Sequence, residues 1–142
     1  MQYRSATAAD ADRLAPLNAE LIRDEGHRNT MSVSELANRM RGWLNAEYRA
    51  VLFEESQELV GYALYRLEPE HVYLRQFLVQ SAFRRRGVGR EAIAWLRRNA
   101  WGADARVRVD VLVGNVAGQA FWRNVGFHDY CVTLEQEPSS AA

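Results

Sequence analysis

The 142 residues, 48% of them hydrophobic, are enough for one core and too few for two ordinary domains. Basic and acidic side chains number 18 each, so no overall field attracts nucleic acid or an anionic membrane, and any anion site must be local. No run approaches the roughly 18 apolar residues of a membrane span. No apolar signal region follows Met1, Cys131 stands alone, and the three histidines have no metal-ligand spacing. The expectation is a metal-free cytoplasmic protein with no nucleic-acid or membrane partner, a homodimer being the one assembly left open.

A short strand, Gln2 to Ser5, opens the chain. Thr7-Ala8-Ala9-Asp10 has the hydroxyl-then-acid pattern of a capped helix start, and Leu14, Leu17, Leu21 and Ile22 follow at helical spacing up to Gly26. Ser32-Val33-Ser34-Glu35 repeats the signature ahead of Leu36, Met40, Trp43 and Leu44, giving a helical hairpin. Three hairpin-linked strands are expected next, at Ala50 to Glu54, Leu59 to Leu67 and His71 to Val79.

Beyond Phe83 the pattern turns helical again, with Val88, Ala92, Trp95 and Leu96 on one side. Val107, Val109, Val111 and Val113 then alternate with polar residues through a strand from Arg106 to Val113. The strand, helix, strand order predicts a crossover between parallel neighbours. A short helix from Ala117 to Asn124, stopped by Gly126, and a last strand from Phe127 to Leu134 complete a single domain, residues 1–136. Residues 137–142 are expected to form a disordered tail.

Seven arginines fall between Arg75 and Arg98, and Arg84-Arg85-Arg86-Gly87-Val88-Gly89-Arg90 stands where a helix begins just after a strand. Free N–H groups and the positive end of the helix dipole converge there, and glycines let an anion approach. A kinase-type phosphate loop would need a lysine and a hydroxyl after Gly89, where Arg90 and Glu91 stand. A dinucleotide fold fits the glycine spacing and finds an acid at Asp110. However, Asp110 lies inside its strand, and only 32 residues follow it, too few for that fold's repeated units. A solvated arginine run is the plain alternative, although positive charge opposes the dipole at that helix end unless an anion arrives.

The loop resembles the Arg/Gln-x-x-Gly-x-Gly/Ala signature of the GNAT N-acetyltransferase superfamily, and its flanks match in order: the strand Leu74 to Val79 before it, Val60-Gly61-Tyr62-Ala63 earlier, and Asn115, Phe121-Trp122 and Gly126-Phe127 after it. The resemblance covers nearly the whole chain. It implies an α/β (α+β) GNAT fold, with a mixed, mostly antiparallel sheet, a splayed parallel strand pair and flanking helices. It also implies acetyl-CoA as co-substrate and transfer of its acetyl group to a primary amine of a small molecule or peptide. The alternative is a sensor that binds acyl-CoA without turnover.

By the same resemblance, Arg84, Arg85, Arg86, Gly87, Val88, Gly89 and Arg90 hold the pyrophosphate. The main chain of Phe77, Leu78 and Val79 holds pantetheine and the acyl carbonyl. Asn115 contacts the cofactor arm or ties down the strand end, unless it is simply a helix cap. The family's tyrosine acid falls on Trp122, whose indole cannot serve as that acid and which otherwise packs in the core. Tyr73 is the candidate base, with His71, Glu68 and Glu70 nearby. Asp24 and Glu25, in the segment that walls the acceptor site, are candidate selectors. Arg75 and Gln76 should fall on opposite faces of their strand, so that one of them looks into the cleft.

Overall fold

Both expected helix starts are capped as their sequences require. In the computed structural model, which describes residues 1–139, the Thr7 hydroxyl accepts from the Ala9 N–H at 3.3 Å. The Asp10 carboxylate in turn accepts from the Thr7 N–H at 2.8 Å. A 3-10 turn at Ala8–Asp10 leads into α1, Ala11–Glu25. Ser32 and Glu35 make the equivalent exchange at 3.1 and 3.0 Å ahead of α2, Val33–Leu44. Such a cap stabilises a helix by about 1 kcal/mol.

The strands β1 (Gln2–Ser5), β2 (Tyr48–Glu55), β3 (Glu58–Leu67), β4 (Val72–Val79) and β5 (Val107–Val109) form one sheet in sequence order. Every pair is antiparallel except β4 with β5. Between these two run α3, Val88–Leu96, and a π-helical turn, Arg97–Trp101. α4, Val116–Asn124, follows β5.

The central strand β3 is buried on both faces, because helices cover each side. Leu59, Tyr62 and Leu64 pack with Leu14, Leu21 and Met40 of the α1/α2 hairpin. Val60, Ala63 and Tyr65 pack with Ala92, Ile93 and Leu96 of α3. No helix among the described residues is long and apolar enough to cross a membrane.

Two expected strands are corrected. The run from Arg106 to Val113 forms a ladder only at Val107–Val109, and Val113 is 90% exposed. Phe127 to Leu134 forms no strand. After the Phe127 N–H bonds the Trp122 carbonyl, the segment makes no backbone bond among the described residues, and Tyr130, Val132 and Leu134 lie exposed. Its polar contacts are made by side chains, Asp129 with Arg123 and Tyr130 with Arg108, and just beyond it Glu135 pairs with Arg28. Alternating residues supply a face, but a strand also needs a partner edge to bond. The last three residues of the expected tail lie outside the described residues.

Candidate active site

The arginine-glycine loop leaves β4 through a 3-10 turn at Ser81–Phe83 and enters α3 through two left-handed residues, Arg85 (φ 64°) and Gly87 (φ 75°). The first helical bond of α3 runs from the Glu91 N–H to the Gly87 carbonyl at 3.0 Å. The N–H groups of Val88, Gly89 and Arg90 therefore precede any intrahelical acceptor, and no side chain caps them.

The two glycines serve different ends. A Cβ on Gly87 would meet nothing within 4 Å, so only its φ favours glycine and the space above it is open. A Cβ on Gly89 would come within 2.8 Å of the Phe121 ring. Gly89 is what lets α4 close against the start of α3.

The four arginines also divide. The Arg84 Nε–H donates to the Val79 carbonyl at 2.7 Å, and its Nη2 meets Asp24 at 2.6 Å and Glu20 at 3.5 Å. Arg90 donates to the Asn124 carbonyl at 2.7 Å, at the C-terminal end of α4. These two brace the loop against α1 and α4. Arg85 and Arg86 are exposed, with no carboxylate in salt-bridge range among the described residues.

Beside the loop, β4 and β5 bond only where Val72, Tyr73 and Leu74 face Val107, Arg108 and Val109. Past Leu74 they part. Phe77, Leu78 and Val79 keep their ladder with β3 and have no strand on the other side. Aromatic rings line this gap. Phe77 stacks on Phe121 at 5.8 Å and meets Trp122 edge-on at 5.3 Å, and Trp122 packs on Phe127 at 5.0 Å.

Trp122 is only 7% exposed. The Asn115 side chain accepts from the Gly118 N–H at 3.0 Å and so caps α4. The stretch beyond β5 is held by Gln119, whose Nε2 donates to the Leu112 and Val113 carbonyls at 3.0 and 2.9 Å.

On the other face of the sheet, alternation misplaced one side chain. Arg75 and Gln76 both turn toward α1 and α2, because the β3–β4 register shifts at Leu64/Tyr65, opposite Gln76 and Leu74, and makes Arg75 the extra residue of a bulge. Gln76 is buried and accepts from the Tyr62 hydroxyl at 2.8 Å. The Arg75 guanidinium lies 4.5 Å from the Trp43 ring centroid and donates to the Tyr48 hydroxyl at 3.3 Å.

Tyr48, Arg66, Tyr73 and Arg108 form a row across this face. The Arg66 guanidinium lies between the rings of Tyr48 and Tyr73, at 5.2 and 5.3 Å, and is paired with Glu68. The Tyr73 hydroxyl donates to Asp110 at 3.0 Å. Burial first, and then the Asp110 charge, push the Tyr73 pKa up to about 12, so at neutral pH it is a phenol.

A sequence profile of the acetyltransferase (GNAT) family matches residues 17–127, from within α1 to just beyond α4. The chain belongs to the GNAT family. Three solved structures share the fold of this GNAT protein. One is an aminoglycoside N-acetyltransferase, AAC(6')-Iy, in complex with CoA (16% identity, TM-score 0.75, covering 96% of this chain and 93% of that one). Another is a predicted acetyltransferase with acetyl-CoA from Clostridium acetobutylicum (18%, 0.74, 96% and 95%). The third is an aminoglycoside acetyltransferase from an uncultured soil metagenomic sample in complex with sisomicin (13%, 0.74, 97% and 96%). A search of curated protein sequences gave no significant match.

Within this GNAT fold the expected site residues separate into groups. Arg84 to Arg90, Phe77 to Val79, Asn115 and Trp122 surround the loop and the gap, while Tyr73, Arg75 and Gln76 lie on the α1/α2 face. Asp24 is engaged by Arg84, and Glu25 meets His27 at 2.9 Å. Arg39, Trp43, Tyr48, Arg66 and Gln119 went unmarked as site residues. From sequence Trp43 reads as part of the apolar stripe of α2, and Asp110 as an acid inside its strand.

Proposed function

We propose that this GNAT chain moves an acetyl group from acetyl-CoA to a primary amine of a small molecule or peptide, by direct attack in a ternary complex. The carrying observation is the juxtaposition of an open helix N-terminus with a gap in a parallel strand pair. The uncapped N–H groups of Val88, Gly89 and Arg90, with the free charges of Arg85 and Arg86, suit a pyrophosphate. The open space above Gly87 leaves room for it. The edge of Phe77, Leu78 and Val79, along which no strand pairs, suits the amide-bearing pantetheine arm, and one of its N–H groups suits the developing oxyanion. Solved relatives with CoA or acetyl-CoA support this assignment.

In the reaction, the amine nitrogen forms a bond to the acyl carbon and the carbon–sulfur bond breaks. An alkyl ammonium with a pKa of about 10 must first lose a proton. Tyr73 is a phenol hydrogen-bonded to a carboxylate, so it suits a relay that passes that proton to Asp110 and on to water. Coenzyme A leaves as a thiolate, whose ordinary pKa of about 8.5 makes it a fair leaving group without a dedicated acid. That matters because Trp122, packed among Phe77, Phe121 and Phe127, offers no hydroxyl.

The same tryptophan favours a second reading, an acyl-CoA sensor without turnover. Calorimetric titration of acetyl-CoA followed by thiol-release assays on a panel of amines separates the two. The expected result is binding with release on at least one amine. Binding with no release supports the sensor, and no binding of acetyl-CoA sinks both.

A further inference from the structure

The cofactor loop and the strand gap leave unused a second group of arginines, on the α1/α2 face. Arg39 of α2 lies 4.4 Å from the Trp43 ring centroid, and Arg75 of β4 lies 4.5 Å from the same centroid. Neither has a carboxylate in salt-bridge range among the described residues, in contrast to Arg66 beside them, which Glu68 neutralises. The Arg39 Nε is buried and has no hydrogen-bond partner, and its Nη2 reaches only the neutral Asn18, at 3.3 Å. Burial, and then the charge of Arg75, lower the Arg39 pKa. Arg39 therefore sits in the field of Arg75 with no ion-pair partner among the described residues.

Their position gives the pair its meaning. Arg75 is the bulge residue at the point where β4 and β5 part, two positions before the Phe77 to Val79 edge. The Trp43 ring covers both guanidiniums, and the exposed Arg75 keeps donors beyond the Nη1 that reaches Tyr48; planar donors of this kind fit a carboxylate. The Tyr48 hydroxyl accepts from both Arg66 and Arg75 and so anchors one Arg75 donor.

We propose that the acceptor is an amine that also bears a carboxylate, as a free amino acid or short peptide does, and that Arg75, assisted by Arg39, receives that carboxylate beside the strand gap. This rests on the acetyl-transfer reading for its chemistry, but the binding it asserts is testable without turnover. A polycationic acceptor such as an aminoglycoside meets repulsion from the same two arginines. Arginine stems also cover apolar rings without binding anything, so the test must read the carboxylate itself.

The probes are free amino acids and dipeptides, each compared with its own C-terminal amide, together with spermidine and kanamycin. Tryptophan fluorescence reads binding, with Trp43→Phe as the control that identifies the responding indole. Thiol release with acetyl-CoA reads KM and kcat separately. At least one acid should bind about 10- to 100-fold more tightly than its amide, the range of a charge-assisted hydrogen bond. Arg75→Gln should bring that ratio to about one, leaving the KM for acetyl-CoA unchanged, and Arg75→Lys should restore part of it. Arg39→Gln, on the other element, should lower the ratio without abolishing it.

Equal binding of acids and amides, no saturable binding of any acid, tighter binding of spermidine or kanamycin, or an acid preference intact in Arg75→Gln would each overturn the proposal. If the acid preference holds while acetyl-CoA fails to bind by calorimetry, the transfer reading falls and the carboxylate site stands.

Discussion

Arg85 and Arg86 stand in solvent beside the open first turn of α3, whereas Arg39 and Arg75 lie against the Trp43 ring at the root of the strand gap. The first pair is contiguous in sequence and works beside backbone N–H groups that hold still whatever the side chains do. The second is assembled from α2 and β4: the Trp43 ring lies against both guanidiniums, Arg39 also reaches Asn18, and Arg75 also reaches the Tyr48 hydroxyl. Exposed charges add attraction that salt screens within about 8–10 Å. Guanidiniums fixed on an indole add direction. One chain thus holds exposed arginines at one place and ring-packed arginines at another.

The comparison breaks most sharply at Gly87. Aspartate tolerates the left-handed angle there and suits a helix N-terminus, so Gly87→Asp should stay folded by circular dichroism. It would nonetheless set a negative charge where the pyrophosphate is proposed to lie. Acetyl-CoA affinity in calorimetry should fall by about 100-fold or more, the size of losing charge-assisted contacts and gaining a repulsion. Retained affinity would sink the loop assignment.

Gly89 tests whether the loop's geometry depends on packing. Gly89→Ala forces a methyl against Phe121 and should destabilise the fold by about 1–3 kcal/mol in denaturant unfolding. Phe121→Leu in the same chain should recover part of that loss.

A smaller effect separates the field from the donors. Arg85→Gln and Arg86→Gln should each weaken acetyl-CoA binding by about two- to five-fold at low salt and by less at high salt, with no change in melting temperature. Arg84→Gln should lower the melting temperature, because that side chain ties the loop to Val79 and Asp24. If Arg84 behaves like its two neighbours, the division between bracing and binding arginines is wrong.

The pH profile, where no shift is expected, tests Tyr73. Its raised pKa, about 12, means that the neutral phenol persists throughout the working range. The rise of rate with pH should therefore follow deprotonation of the amine. Tyr73→Phe should lower the rate and leave the inflection in the pH profile where it was. A shifted inflection would make Tyr73 a titrating base.

Capping boxes, helical stripes and the loop could be read from the sequence because each depends on residues within a few positions of one another. Thr7 with Asp10, Ser32 with Glu35, and the arginine-glycine run before Val88 are local, and the structure contains all three. Arg75 could not be read in this way. Strict alternation set it opposite Gln76, but a register shift against β3 turned both to one face, and a bulge exists only between two strands. The same reasoning applies to Phe127 to Leu134, whose pattern suits a strand and whose backbone finds no edge. By itself, then, the sequence determined where helices begin and where the arginine-glycine run opens α3, since caps and helix N-termini are local chemistry. Only the tertiary structure decided which arginines brace, which stay free and which share Trp43, because those choices depend on partners brought together from distant parts of the chain.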